Sequence, residues 1–326
     1  MAVPNQRSLR NPHTQAAAPR ATNSAEHHIF LASRLTDRDR WLAAMTYEHR
    51  VLTTAQLVRL AFPSERSARA RLRELVAWSV LDRFRPLRAC GTAAMHYVLG
   101  PAGATVLAHQ HGLDPKTLGY RRDRALGIAN SLRLAHQLGV NDLLTTLAAE
   151  QPLSAWWSET RCTRHIGDLA RPDAFLQLHT PDGTSGFYLE YDTGTEPLVR
   201  LASKLPGYHD LARSTAHTVP TLFWLPSPRR EAHARRALQD ARSRLDRPSL
   251  VPIATASPQP VPDPAGSVWL PVEDNPGPRR ALAALPAVWP QLSTPPDLDA
   301  DHVLAPSRHG EMLPAPVPRA PLPPRR

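Results

Sequence analysis

The fold is decided by residues 171–204, RPDAFLQLHTPDGTSGFYLEYDTGTEPLVRLASK, which predict a strand, a tight turn, a second strand and a helix. Pro181-Asp182-Gly183 favours a turn because proline presets one backbone dihedral angle and glycine accepts a positive one. If the turn is centred between Asp182 and Gly183, the facing pairs are Leu178 with Phe187, Leu176 with Leu189, and Ala174 with Tyr191. One face of the hairpin is then apolar, because side chains alternate between faces along a strand.

The opposite face of this hairpin collects carboxylates. Asp173 is predicted to lie opposite Asp192, with Glu190 two residues away and opposite Phe175. Facing like charges destabilise a sheet by about 0.2–1 kcal/mol per pair, so something should offset the repulsion. A divalent cation held by oxygen ligands would do so. The alternative is a solvated polar face of an antiparallel sheet.

Lysine usage adds a second observation near these acids. The chain has only two lysines, and one of them, Lys204, follows the acidic strand within a single predicted helix. A compact ammonium there is within reach of a phosphate or a nucleophilic water. Asp173, Glu190, Asp192 and Lys204 are therefore the candidate catalytic residues, and Asp173 with Glu190 the candidate metal ligands.

Composition bounds the class of protein. The 326 residues suffice for two domains, and 42% hydrophobic content suffices for real cores. The formal net charge of +10 favours a polyanionic partner such as DNA, although arginine richness also follows from genomic base composition. No apolar run approaches the ~20 residues of a membrane span, so we expect a cytoplasmic protein without a membrane partner.

Other chemistries find no support in the sequence. Cys90 and Cys162 stand far apart and belong to no metal-spaced cluster, which predicts reduced thiols rather than a disulfide framework. The sequence contains neither a P-loop nor a dinucleotide GxGxxG nor a serine-hydrolase elbow. No small-molecule cofactor is expected.

The N-terminal third predicts a winged helix. Residues 1–30 are polar and aperiodic and are expected to be disordered. Over residues 31–112, Thr36, Thr53 and Ser64 each open a predicted helix, and a hairpin follows. In a winged helix the third helix enters the major groove of DNA and the hairpin contacts the backbone. The alternatives are a helical bundle with solvated arginines, or a winged helix used for protein contact.

The candidate DNA-binding residues of this region are arginines. Those on the third helix lie within about 60° of one another, at 100° per residue, and largely away from its apolar stripe. The hairpin adds three more. The full set is Arg66, Arg69, Arg73, Arg83, Arg85 and Arg88.

Residues 125–271 predict a second domain with the order helix, three strands, helix, strand, helix, strand, which is a mixed α/β sheet. Its first helix is expected from about 126 to 150 and its second to be capped at Thr195 and ended or kinked by Pro206-Gly207. The proline-rich residues 272–326 are expected to form an extended, disordered tail. The fold class is therefore α/β, an α+β winged helix followed by a mixed-sheet α/β domain, with disordered tails.

Two family resemblances follow from these motifs. The strand order, with Pro172-Asp173 on one strand and Glu190 on the next, resembles the restriction-endonuclease-like PD-(D/E)xK superfamily. A winged helix joined to such a domain, with RPDA, LEYDTGTE and a later lysine followed by Pro-Gly-Tyr, resembles the replication-relaxation family of actinobacterial proteins over residues 34–271. That family is associated with plasmid replication and transfer.

The resemblance implies a DNA-binding protein of plasmid replication or mobilisation, with the replication or relaxase machinery as a partner. Asp173 and Glu190 match the two metal-binding acids of the nuclease motif, which would hold Mg²⁺ or Mn²⁺. The third motif position departs, since Asp192 stands where the motif has lysine, and Lys204 is the candidate replacement. The implied activity is phosphodiester hydrolysis by an endonuclease. The alternative is a degenerate nuclease fold in a non-catalytic DNA-binding accessory protein or transcriptional regulator.

Overall fold

A computed structural model of the chain describes residues 24–86, 93–180, 183–258, 263–273, 275–293 and 313–321. The architecture is mixed helix and sheet, as predicted. The chain divides into two compact units, Met1–Thr145 with Arg308–Arg326, and Thr146–Ser307. The helices are α1 Ala25–Arg34, α2 Asp37–Glu48, α3 Thr54–Ala61, α4 Glu65–Ala77, α5 Pro101–Gln110, α6 Arg122–Gly127, α7 Leu134–Glu150, α8 Glu159–Ile166, α9 Leu198–Ala202, α10 Leu205–Thr215 and α11 Pro228–Arg242. The strands are β1 Leu52–Thr53, β2 Leu81–Phe84, β3 His96–Leu99, β4 Leu153–Ser158, β5 Ala174–Thr180, β6 Gly183–Tyr191, β7 Thr221–Trp224, β8 Ile253–Ala256 and β9 Leu270–Pro271.

Side-chain caps set the helix starts of the first unit. Thr36 and Asp39 exchange hydrogen bonds between side chain and backbone at the start of α2, and Thr53 and Gln56 do the same at α3. The Ser64 hydroxyl accepts a hydrogen bond from the Ser67 amide at α4. These contacts satisfy amide groups that have no partner within the helix. The three predicted helix starts are confirmed.

A three-stranded antiparallel sheet of order β1-β3-β2 completes the first unit. Val51, Phe84, Val98 and Ile128 form a buried cluster beside it. Apolar residues of α6 and of the first turns of α7 pack on that cluster, so the unit extends past residue 112, where sequence reasoning ended it.

The helix expected from 126 to 150 is interrupted. α6 ends at Gly127, a 3₁₀ turn covers Ile128–Asn130, and α7 begins at Leu134. Leu132, in the gap between the two helices, is 91% exposed. The interruption follows from Ile128, which turns into the cluster of the first unit and is 2% exposed.

The prediction that residues 1–30 are disordered is wrong from residue 24 onward. α1 begins after Ser24, whose hydroxyl accepts a hydrogen bond from the His27 amide. Leu31 is fully buried, and the Phe30 ring meets the Trp78 ring edge to face at 5.6 Å. His27 Nε2 also lies 2.9 Å from the Trp78 carbonyl oxygen, and the His28 ring meets the His109 ring edge to face. These contacts have no helical period, so the sequence pattern did not reveal the helix.

The second unit is built on a six-stranded mixed sheet of order β4-β5-β6-β7-β8-β9. β6, β7 and β8 are parallel to one another, and the other neighbours are antiparallel. The three strands β4 to β6, followed by β7 and β8 with helices between them, have the predicted order. α8, between β4 and β5, was not predicted.

The hairpin register differs from the prediction by two residues. Leu176 faces Phe187, Ala174 faces Leu189, and Thr180 faces Gly183. The hairpin is therefore centred between residues 181 and 182, one residue earlier than predicted. Gly183, the first paired residue of β6, has a positive φ of 126°, which glycine tolerates. A shift of two residues preserves the face of every side chain. The apolar face is therefore as predicted although the partners are not.

The prediction of a disordered tail from residue 272 is also wrong for the residues that the structure describes. Leu282 and Leu285 are fully buried, and Trp289 is 3% exposed. Arg279 reaches the buried carboxylate of Glu231 with both terminal nitrogens at 2.9 Å, and the Trp289 indole donates to Glu273 at 2.9 Å. The buried residues of this segment are widely spaced and follow no helical or strand period. The proline content alone therefore led to the prediction of disorder.

Candidate functional site

The hairpin brings Asp173 and Glu190 together at the end of β5 and β6. Asp173 precedes β5, and its amide donates to the Leu189 carbonyl at 2.9 Å. Its carboxylate accepts a hydrogen bond from the Tyr191 amide at 2.7 Å, across the strand pair. Glu190 sits on β6, paired with Phe223 of β7. The negative charge of Asp173 acts on Glu190 across this short span.

Glu190 is buried and engaged at both oxygens. Its side chain is 1% exposed. One oxygen accepts a hydrogen bond from the Tyr208 hydroxyl at 2.6 Å, and the other accepts one from the Lys204 ammonium. Burial raises the pKa of the Glu190 carboxyl to about 7, with a further rise from Asp173 that Lys204 and Tyr208 oppose. Glu190 therefore titrates near neutral pH.

Lys204 and Tyr208 reach Glu190 because they lie four residues apart at the start of α10. Lys204 caps this helix, and Pro206 occupies its first turn. Burial lowers the pKa of the Lys204 ammonium, but the charges of Glu190 and Asp173 outweigh burial and raise it overall. The expected helix capped at Thr195 is instead split into α9, preceded by Pro197, and α10. Pro206-Gly207 begins α10 rather than ending a helix, because a first-turn proline needs no hydrogen-bond partner.

Asp192, another of the candidate catalytic residues, is paired with an arginine. It follows β6, and the Arg230 guanidinium donates to both of its oxygens, at 2.5 and 3.2 Å. The Gly194 amide donates to it at 2.8 Å, and its side chain is 3% exposed. This pair ties the end of β6 to the first turn of α11. Sequence reasoning missed Arg230 because nothing in the spacing links positions 192 and 230.

The donor set as it stands does not fit a metal ion. Mg²⁺ needs carboxylate oxygens that face an open coordination sphere. Both oxygens of Glu190 instead accept hydrogen bonds from Lys204 and Tyr208, and both oxygens of Asp192 accept from Arg230. Across the described part of the chain, no three His, Cys, Asp or Glu side chains are grouped to hold a metal.

A second candidate site lies on the first unit, on α4. Arg66, Arg69 and Arg73 are exposed. Arg69 pairs with Glu65 at 2.6 Å in an ion pair whose two side chains are more than half exposed, and Arg73 donates to the Arg69 carbonyl at 3.2 Å. Exposed pairs of this kind contribute little stability, so these arginines are available to a ligand.

Arg71 of the same helix has a different task. Its guanidinium donates to both oxygens of Asp39, at 2.5 and 3.0 Å, and lies over the Trp78 ring at 4.9 Å. Burial raises the pKa of the fully buried Asp39 carboxyl, but the hydrogen bonds from Arg71 and Thr36 outweigh burial and lower it. Arg71 thus anchors α4 to α2, and the other three arginines face outward.

The arginines of the hairpin approach those of α4 at Tyr97. Burial raises the pKa of the Tyr97 hydroxyl, and the charges of Arg83, Arg69 and Arg85 oppose that rise. Arg83 lies directly opposite Tyr97 on the paired strands β2 and β3, and Arg85 is exposed just beyond β2. Arg88 lies outside the described residues. Arginines from α4 and from the β2 side of the hairpin therefore act electrostatically on the same hydroxyl.

Comparison with known proteins gives one family. Residues 44–222 match the family described as Replication-relaxation, which is more than half of the chain. The chain belongs to the replication-relaxation family. No curated protein and no solved structure matches it.

The replication-relaxation match bounds what the family shares with this chain. It runs from within α2 to within β7 and so contains Arg66, Asp173, Glu190, Lys204 and Tyr208. The match ends before Arg230, before β8 and β9, and before the packed residues that follow β9. Membership supports a role related to replication. None of the described helices is both long and apolar enough for a transmembrane span.

Proposed function

We propose that this replication-relaxation protein is a non-catalytic DNA-binding accessory of replication. Its first unit would contact DNA through α4 and the β2–β3 hairpin as a winged helix. Its second unit would serve as a nuclease-like scaffold that does not cleave. The observation that carries the proposal is the exposed face of Arg66, Arg69 and Arg73 on α4, which packs against β2, the strand that carries Arg83. Both elements that a winged helix presents to DNA therefore carry arginines.

The element order supports the winged-helix interpretation. Three helices, α2 to α4, are followed by an antiparallel pair, and the short strand β1 between α2 and α3 joins that pair at its edge. Guanidinium groups on an exposed helix and on the adjoining hairpin suit phosphate contacts, which supply most affinity for DNA at low salt. The net charge of +10 favours the same partner.

The scaffold half of the proposal rests on Glu190. A nuclease would need this carboxylate as a metal ligand, yet it is buried and already accepts hydrogen bonds from Lys204 and Tyr208. That network connects β6 to α10 and stabilises the second unit without any ligand. A Mg²⁺-dependent endonuclease is the outcome that would replace this half of the proposal.

The DNA-binding test compares two triple variants of equal charge change. Arg66, Arg69 and Arg73→Ala removes the outward face of α4, and Arg229, Arg236 and Arg244→Ala removes three exposed arginines from the second unit. Binding to a labelled duplex is followed by anisotropy at several salt concentrations. We expect the α4 variant alone to weaken binding strongly and to flatten the log–log salt slope by about 0.9 for each lost phosphate contact. Equal effects of the two variants would contradict a localised interface.

The scaffold test uses supercoiled plasmid with Mg²⁺ or Mn²⁺. We expect no nicking by the wild-type protein above that of the Glu190→Gln variant. Nicking that requires both the metal and Glu190 would establish an endonuclease and would leave the DNA-binding half untouched. In that case Lys204→Ala should slow cleavage while metal binding persists.

A further inference from the structure

The segment 313–321, LPAPVPRAP, belongs to the first unit although it lies far from it in sequence. It contains no helix or strand. The indole Nε1–H of Trp41, on α2, donates a hydrogen bond to the carbonyl of Val317 at 2.7 Å. Trp41 is 6% exposed, and Leu313, four residues before Val317, is 3% exposed, whereas the side chain of Val317 itself faces solvent.

Burial along this segment is uneven. Leu313 and Pro318 are buried, Pro314, Val317 and Arg319 are exposed, and the other residues are partly buried. A polyproline II helix is an extended, left-handed conformation that proline favours. It also has no internal hydrogen bonds, and its carbonyls are free to accept from outside. Prolines at 314, 316, 318 and 321 favour this conformation.

We propose that the first unit carries a binding site for a polyproline II segment, built around Trp41, and that its resident ligand is residues 313–321 of the same chain. An aromatic ring that donates to a proline-rich backbone is a recurring mode of peptide recognition, because the ligand is ordered before it binds. This inference is independent of the proposed function. It concerns a peptide ligand and a different set of residues.

The test makes the ligand separable while using the full chain. A single protease site is introduced between residues 294 and 312, Cys90→Ser removes one thiol, and Val317→Cys, at a side chain that is 60% exposed, carries a fluorophore. Before cleavage the tether holds the segment at an effective concentration near millimolar. After cleavage we expect the labelled fragment to stay bound at about 100 µM and to separate on dilution to about 10 nM. A fragment that is released at both concentrations would overturn the proposal.

A pair of tryptophan variants gives the specificity control. Trp41→Phe keeps a ring and removes the donor, and we expect it to raise the fragment's Kd about tenfold, as for the loss of one hydrogen bond. Trp289→Phe removes an equivalent indole hydrogen bond, to Glu273 in the second unit, and should leave the Kd unchanged. If Trp41→Phe does not fold, Pro318→Ala in the fragment tests the site from the ligand side, because Pro318 is a buried proline next to Val317. Equal Kd values for wild type, Trp41→Phe and Pro318→Ala would overturn the proposal.

Discussion

Replacing Glu190 by glutamine should change how the stability of the protein depends on pH. In the folded protein the Glu190 carboxyl is buried between Lys204 and Tyr208, and its pKa is raised to about 7 from 4.5. The folded state therefore holds a proton that the unfolded chain releases near pH 4.5. Between these two values, folding is weakened as the pH rises, because the folded state binds more protons.

The magnitude follows from the same two values. Each unit of pKa difference corresponds to about 1.4 kcal/mol. The rise in the pKa of Glu190 therefore corresponds to a loss of about 3 kcal/mol in the free energy of unfolding as the pH increases. Below pH 4.5 this contribution of Glu190 to stability is fully present. It falls through the window from pH 4.5 to 7 and is absent above it. Glutamine does not titrate, so the variant lacks this decline.

The assay is urea unfolding at pH 4.5, 6 and 8, with the variant compared with wild type at each pH. The substitution also lowers stability by itself, because an amide cannot pair with the Lys204 ammonium as a carboxylate does. The informative quantity is therefore how the difference in the free energy of unfolding between variant and wild type changes with pH. We expect the free energy of unfolding of the variant, relative to that of wild type, to rise by about 3 kcal/mol between pH 4.5 and pH 8. Glu74→Gln, at a half-exposed carboxylate on α4, controls for the loss of one acid. Parallel curves for wild type and Glu190→Gln would refute the reasoning.

Two further predictions concern anchors that the fold depends on. Arg71→Met should lower the free energy of unfolding by about 3 kcal/mol, because it leaves the buried Asp39 carboxylate without its charged partner; equal urea midpoints for variant and wild type would contradict this. Leu285→Ala should lower the free energy of unfolding by about 2–5 kcal/mol, because this side chain is fully buried. The control Val199→Ala, at a side chain that is 79% exposed, should change it little. A loss at Leu285 no larger than at Val199 would show that the segment past residue 272 is dispensable for stability.

The fold could be predicted where local chemistry decides it. Capping residues at Thr36, Thr53 and Ser64 act within one helical turn, so their sequence pattern is sufficient. Alternation along β5 and β6 fixed the two faces of the hairpin for the same reason. The register depended on where the turn is centred, which alternation does not report. The packed segments at α1 and around Leu285 depend on scattered long-range contacts that have no period.

The candidate site was predictable only in part. Asp173, Glu190 and Lys204 converge because they flank one hairpin and the helix that follows it, which sequence order reveals. Tyr208 could have been found, since it lies one helical turn after Lys204 on the same face. Arg230 could not, because its pairing with Asp192 depends on where α11 begins relative to the end of β6. The charge pattern alone grouped Asp192 with the acids, and only the tertiary partner separates it.

The balance of charges around Glu190 bears on whether the hairpin needs a metal ion for its stability. Two facing carboxylates at Asp173 and Glu190 would repel each other, and from the sequence we expected a bound divalent cation to offset this repulsion. In the structure the Lys204 ammonium and the Tyr208 hydroxyl donate hydrogen bonds to Glu190, and the Glu190 carboxyl itself takes up a proton near pH 7. Each removes repulsion with groups the chain itself provides. A site stabilised in this way gains little from a divalent ion, because the ion would have to displace both hydrogen-bond donors before it could bind.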